Sequence, residues 1–226
     1  MLYFPKTFPG PQSELAMERI KPSGNYRIQS VLEVLRRDFC NKCYLCEDSP
    51  QSVNVEHLIA HKGDKDLEFS WANLFWACSH CNNIKGQGYD GILNCSTDAN
   101  VEQKLDYKFS PFPAESIVIE SVDGAADSKM TSKLLQDIYN GTTVMKKMES
   151  NGLRKKICRQ INDLVDLILR FHDAEFDQEA RISLGEQIKM KIRVNAPFAS
   201  FSRTCLRRYP KTLEALRAEI VGFPQV

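Results

Sequence analysis

Residues 43–86 concentrate side chains that can bind metal and move protons. CYLC carries Cys43 and Cys46. VEHLIAH follows with Glu56, His57 and His61. WANLFWACSHCNNIKG then supplies Asn73, Cys78, Cys81, Asn82 and Lys85. Two CxxC pairs are the usual way to offer four thiolates to tetrahedral Zn²⁺, because a tight turn points both sulfurs of a pair one way. The 31 residues between Cys46 and Cys78 exceed a common zinc ribbon, so something is inserted between the knuckles. Cys40 stands three residues before Cys43, so Cys40/Cys43 competes with Cys43/Cys46 as the first pair. The compact Tyr44-Leu45 knuckle before a polar loop favours the second choice.

The insert must be positioned by short elements. Val53, Val55 and Leu58-Ile59 flank Glu56-His57 and predict a strand. Residues 67–78 turn from polar to apolar and aromatic, with Trp71, Leu74, Phe75 and Trp76, and predict its partner strand. Ser79 or Asn82 can cap a following helix. The expected order is strand, loop, strand, helix, with His57 on a strand and Asn82 on the helix.

Taken as an ensemble, these 45 or so residues resemble HNH endonucleases of the ββα-metal type, in the subgroup framed by two CxxC zinc knuckles. The resemblance implies His57 as general base and Glu56 and Asn82 as ligands of a catalytic divalent ion. It implies Asn73 as the middle asparagine that fixes the loop behind the histidine. Two positions depart from the common pattern: the acid is Glu rather than Asp, and the third motif residue is Asn rather than His. Asn in that place favours Mg²⁺ or Mn²⁺ over a catalytic transition metal.

These residue types suit phosphodiester hydrolysis, which needs a deprotonated water and neutralised charge at phosphorus. A neutral imidazole can take the proton near pH 7. A backbone carbonyl or Asn73 can orient its other nitrogen. His61 reads either as a rim residue touching phosphate or as a surface histidine. His80 sits inside the second knuckle, where it can replace a cysteine on zinc. Lys85 reads as a phosphate contact or as half of a solvated helix pair.

At 226 residues, with 42% hydrophobic and 26% charged content, the chain fits one large or two small soluble domains. A net charge of +1 means that nucleic-acid binding would rest on local patches. No run of 18 apolar residues and no signal peptide is expected, the first 20 residues carrying three prolines and scattered charge. Eight cysteines with two metal-type pairs point to a reducing cytoplasm. Cys40, Cys95, Cys158 and Cys205 read as buried thiols.

The fold expected is α+β and mainly helical. Residues 1–25, with Phe4, Pro5, Phe8, Pro9 and Pro11, read as an extended arm; 26–125 read as the nuclease domain with its knuckles; 126–226 read as a helical region. An amphipathic helix is expected over 26–39, with Arg36, Arg37 and Lys42 near its end. SIVIESV at 116–122 alternates like a strand, residues 98–113 carry two prolines, and Thr131 begins a helix that stops at Asn140-Gly141. Leu153, Ile157, Ile161, Leu164, Val165, Ile168 and Leu169 form a helical stripe. Two further helices are expected over 177–194 and 202–220, the last kinked at Pro210. Between Gln187 and Leu213, seven basic residues occur with no acid: Lys189, Lys191, Arg193, Arg203, Arg207, Arg208 and Lys211. This reads either as a nucleic-acid patch, with Arg203, Arg207 and Arg208 as contacts, or as a solvated face.

The wider layout, from the Pro-rich start through NKCYLCE to APFASFSRTCLRR, resembles the HNH subunits of bacterial Septu-type and retron-linked anti-phage systems. That resemblance implies a partner, an ABC/SMC-like ATPase. The chain has no GxxxxGK[ST] loop of its own. The expectation is a DNA-cutting enzyme, with tRNA as the alternative substrate and a silent zinc-stabilised binding adaptor as the non-enzyme reading.

Overall fold

In a computed structural model, residues 1–109 and 116–226 are described. About half of the chain is helical, with two small antiparallel strand pairs, an α+β arrangement.

The arm expected over residues 1–25 is not extended throughout. It contains helix α1, Gln12–Arg19, and its first residues enter the core. Met1, Leu2 and Phe4 are buried. The Phe4 amide donates to the Cys95 carbonyl at 2.8 Å, and its ring lies 5.3 Å from that of Phe39. Apolar side chains at the start of the chain gain more by leaving water than an exposed arm would retain in freedom. Helix α2, Gln29–Asp38, follows and buries Val31 and Leu35.

Strand β1, Val53–His57, pairs with β2, Leu74–Cys78, so that Val55 faces Trp76, Glu56 faces Phe75 and His57 faces Leu74. Between them lies the one-turn helix α3, Lys65–Glu68, and a 3₁₀ turn at Trp71–Asn73. The second strand therefore begins at Leu74 and not near residue 67. Asp64 is the reason: its carboxylate accepts from the amides of Asp66 and Leu67 and nucleates a turn. Helix α4, Ser79–Lys85, leaves β2 directly. Its cap is the Cys78 sulfur, which accepts from the Cys81 amide at 3.4 Å, rather than Ser79 or Asn82. It ends at Gly86, whose φ of 47° suits glycine.

A second pair, β3 (Leu105–Lys108) and β4 (Val118–Ser121), sets Tyr107 opposite Ile119. The two prolines of the 98–113 stretch, Pro111 and Pro113, lie outside the described residues. Helix α5, Ala126–Asn140, starts five residues before Thr131 and packs on β4 and α4. It stops at Gly141, where a Cβ would sit 2.4 Å from the Lys147 nitrogen.

Helix α6, Val144–Asp173, buries Leu153, Ile157, Ile161, Leu164 and Ile168. Val165 and Leu169 fall off this stripe and are exposed. Helix α7, Gln178–Ile192, is capped by Asp177 through the Ala180 amide and runs along α6. Residues 199–219 form two helices and not one kinked one: α8 (Ala199–Arg207) and α9 (Pro210–Glu219). Pro210 opens the second because its missing N–H is no loss in a first turn.

One apolar cluster runs from Met1 to Phe223, so the three expected segments share a core. Polar ties cross it. Lys42 donates to the Val194 and Ala196 carbonyls at 2.7 and 2.6 Å, and Glu47 accepts from the Ser200 amide at 3.0 Å.

Candidate functional site

The four cysteines of the two CxxC pairs come together, every sulfur within 4.8 Å of the others. Cys46 and Cys78 stand 3.8 Å apart, the edge of a tetrahedron with arms of about 2.3 Å around zinc. The first pair is Cys43/Cys46. Cys40 stands outside the cluster on a backbone turn with φ 52°. Hydrogen bonds from Cys43 lead in pushing the Cys46 thiol up and the Cys78 thiol down, while burial leads in pushing Cys81 up. Four thiols sharing one pocket cannot all ionise without a cation, and this donor set fits zinc. His80 does not take a cysteine's place in this cluster. Its Nε2 donates to the Ile138 carbonyl at 2.9 Å and its other nitrogen meets the Glu149 carboxylate, tying the second knuckle to α5 and α6. Cys95, Cys158 and Cys205 are buried, as expected, and Cys40 is half-buried.

A separate open cleft of about 350 Å³ is lined by Tyr26, Arg27, Glu56, His57, His61 and Asn82, among others. Both β1 and α4 line it, so the hairpin-helix unit brings residues 25 positions apart in sequence into one hollow.

His57 is buried, and its Nε2 lies 2.9 Å from the Glu68 carbonyl. A carbonyl can only accept, so Nε2 carries the proton and Nδ1 carries the lone pair. Tyr26 meets the imidazole edge-on at 4.7 Å, and His61 lies 4.8 Å away on another side. Burial is the main cause that pushes the His57 pKa below its usual value, which keeps the ring neutral at pH 7. The backbone partner is Glu68, presented by the turn that Asp64 caps.

Asn73 does not touch His57. Its Oδ1 accepts from the Ile59 amide at 2.8 Å, and its Nδ2 donates to the Ile59 and Leu67 carbonyls at 2.9 and 3.0 Å. It ties Ile59, ahead of α3, to Leu67 within α3 and so holds the neighbouring Glu68 in place. Asp90 adds a second clamp, accepting from the Ala60 amide and pairing with Lys62, both at 2.8 Å.

Lys85 corrects a sequence expectation. It is 1% exposed, so it is neither a phosphate contact nor a solvated pair. Its ammonium lies 2.8 Å from Oε1 of Glu56 and donates to the His57 carbonyl at 2.8 Å. Burial pushes the Glu56 carboxyl upward, and the Lys85 charge offsets part of that. Oε2 of Glu56 and Nδ1 of His57 have no protein partner among the described residues, and neither is sealed from solvent. Asn82 is half-buried on α4.

The basic C-terminal residues are placed elsewhere. Arg203 is 9% exposed and pairs with Glu102 at 2.5 Å while donating to the Ile192 carbonyl at 2.7 Å. Arg207 is half-buried and donates to Thr204 at 2.8 Å. Arg208 donates to the Tyr107 carbonyl at 2.9 Å and lies 3.5 Å from Asp106. None of the three lines the cleft. Arg203 in particular has its donors turned inward, which contradicts a role in touching nucleic acid.

Sequence reasoning missed Tyr26 and Arg27, which precede α2 and carry no motif. The only sequence signal was an aromatic–cation dipeptide at a helix entrance. No helix among the described residues is long and apolar enough to cross a membrane. Compared with known proteins, the chain matches no family model, no curated protein and no solved structure.

Proposed function

We propose that this protein is a metal-dependent HNH endonuclease that hydrolyses phosphodiester bonds in DNA. The observation that carries the reading is the set imidazole of His57. Its Nε2 is engaged by the Glu68 carbonyl, leaving Nδ1 as the base atom in the same cleft as Glu56 and Asn82. His57 would accept the proton of the attacking water, a contribution of about 10²–10⁴-fold. Oε2 of Glu56 and the Asn82 amide oxygen are hard donors that would hold Mg²⁺ or Mn²⁺, which when bound would neutralise charge at the phosphate. Asn73 and Asp90 keep the loop behind the histidine from drifting. The cysteine cluster, loaded with zinc, would hold β2 and α4 to the first knuckle and contribute no chemistry.

The knuckle-framed motif and the wider resemblance to Septu-type and retron-linked subunits support a place in a bacterial anti-phage complex beside an ABC/SMC-like ATPase, in the cytoplasm. A tRNA substrate is the alternative within the same chemistry. One observation favours a different class: Lys85 already neutralises Glu56, as it would in a silent zinc-stabilised adaptor.

The test is cleavage of plasmid DNA and total tRNA by wild type and His57→Ala, with Mg²⁺, Mn²⁺ or EDTA, with and without the ATPase. Metal-dependent DNA cutting that disappears in the variant is expected. Cutting of tRNA alone moves the substrate to RNA. No cutting of either by zinc-loaded protein under any condition overturns the enzyme in favour of the adaptor.

A further inference from the structure

Next to the cleft lies a second open hollow of about 590 Å³, lined by Gly88, Tyr89, Ala126, Lys129, Met130 and Lys133. The two hollows adjoin: Gly86 and Gln87 line the first, Gly88 and Tyr89 the second, and these four residues are consecutive. Consecutive Cα atoms are about 3.8 Å apart, so one loop forms the shared bank.

Arg27 stands on the cleft side of this bank and Lys129 and Lys133 on the α5 side. All three are exposed, and none has a carboxylate partner among the described residues. Two acids border this bank and each has a partner of its own. Asp90 is held by Lys62 and the Ala60 amide, and Asp137 by the Tyr89 hydroxyl. Lys129 and Lys133 are one helical turn apart, about 6 Å along the axis. Each DNA strand carries a phosphate about every 3.4 Å of duplex axis, so the two lysines can each meet a phosphate of one strand.

Resting on the proposed nuclease reading, we infer that a DNA strand runs from Arg27 across the Gly86-Gln87-Gly88-Tyr89 bank onto the Lys129/Lys133 face of α5. The basic C-terminal stretch is not its track. Glycines on the bank keep side chains out of the path, and unpaired cations at both ends supply charge that is not already spent within the protein. Contacts of this kind position the backbone and do not read sequence.

The experiment uses the full-length, zinc-loaded chain carrying His57→Ala, so that substrate survives. Binding to a short fluorescent DNA duplex and to an RNA hairpin is followed over a salt series. Adding Lys129→Ala and Lys133→Ala should lower the slope of log K against log salt by about two, since each phosphate contact contributes about 0.9. The loss should be the same for unrelated duplex sequences. Arg27→Ala should lower the slope by about one. Arg193→Ala with Lys211→Ala, which line neither hollow, should leave it unchanged. A slope that stays put in the Lys129/Lys133 variant while the parent binds duplex overturns this path but leaves the nuclease reading standing. A slope lost instead on the Arg193/Lys211 variant overturns the path in favour of the C-terminal surface. Binding of the RNA hairpin alone overturns DNA as the occupant. A parent that binds neither nucleic acid overturns the nuclease reading itself, and this inference with it.

Discussion

The cleft-bearing half and the C-terminal helices use charge in opposite ways. In the C-terminal helices, four of the seven basic residues that crowd the sequence meet an acid. Lys189 meets Glu186, Lys191 meets Asp163, Arg203 meets Glu102 and Arg208 meets Asp106. Around the cleft and the neighbouring hollow, Arg27, Lys129 and Lys133 are scattered along the chain, exposed, and without such partners among the described residues. Density of basic residues along the chain therefore does not by itself mark an exposed charged field. The two halves also differ in what holds them. Helices α6–α9 contribute apolar stripes to the common core, whereas the hairpin and α4 add to their apolar share a cluster of four thiols and several polar clamps.

The largest break in this comparison is metal removal. Structural zinc contributes on the order of 10 kcal/mol of binding energy to small metal-held units. Strong chelation, or Cys81→Ser, should therefore unfold the hairpin and α4 while most helical circular dichroism persists. Loss of all structure at one midpoint would show that the two halves are not separable in this way.

Next, Arg203→Ala should destabilise by about 3–5 kcal/mol, because it leaves Glu102 poorly paired in a mostly buried place. Thermal unfolding would measure it. A loss of DNA affinity without a loss of stability would return Arg203 to the nucleic-acid surface. Leu164→Ala, in the stripe of α6, should cost about 2–5 kcal/mol and leave cleft chemistry intact in the folded fraction.

A smaller effect sharpens the other side. Asn73→Ala removes three hydrogen bonds from the loop that presents the Glu68 carbonyl. It should cost about 1–3 kcal/mol, since freed backbone groups stay partly buried. It should also lower cleavage rate more than substrate binding, because Asn73 acts through the His57 tautomer. Equal loss of both would make Asn73 merely structural. Smallest of all, Lys191→Ala should change stability by less than about 1 kcal/mol. Its ion pair with Asp163 is partly solvent-exposed.

Much of the site was legible because its parts lie close in sequence. Two CxxC knuckles fix where the sulfurs can go, and a strand–loop–strand–helix order brings Glu56, His57 and Asn82 into one cleft. The helices from residue 126 onward were legible from period and stop signals, although Val165 and Leu169 were placed on the wrong side of α6. Adjacent positions on a helix differ by about 100°, and a stripe read from composition widens easily by one residue. The arm was misjudged because prolines punctuate backbone shape but say nothing about what Met1, Leu2 and Phe4 find to pack against.

What the sequence alone determined is therefore the local chemistry: the cysteine spacing, the acid–histidine pair on one strand, and the asparagine one helix later. What only the tertiary structure decided is the state of each charge. Lys85 and Arg203 carry the same formal charge as Arg27 and Lys129. The first two are buried against Glu56 and Glu102, and the last two face solvent. Pairing depends on which distant segments the core brings within a few ångströms, and on how much water that leaves. Neither quantity is written in the spacing of residues along the chain.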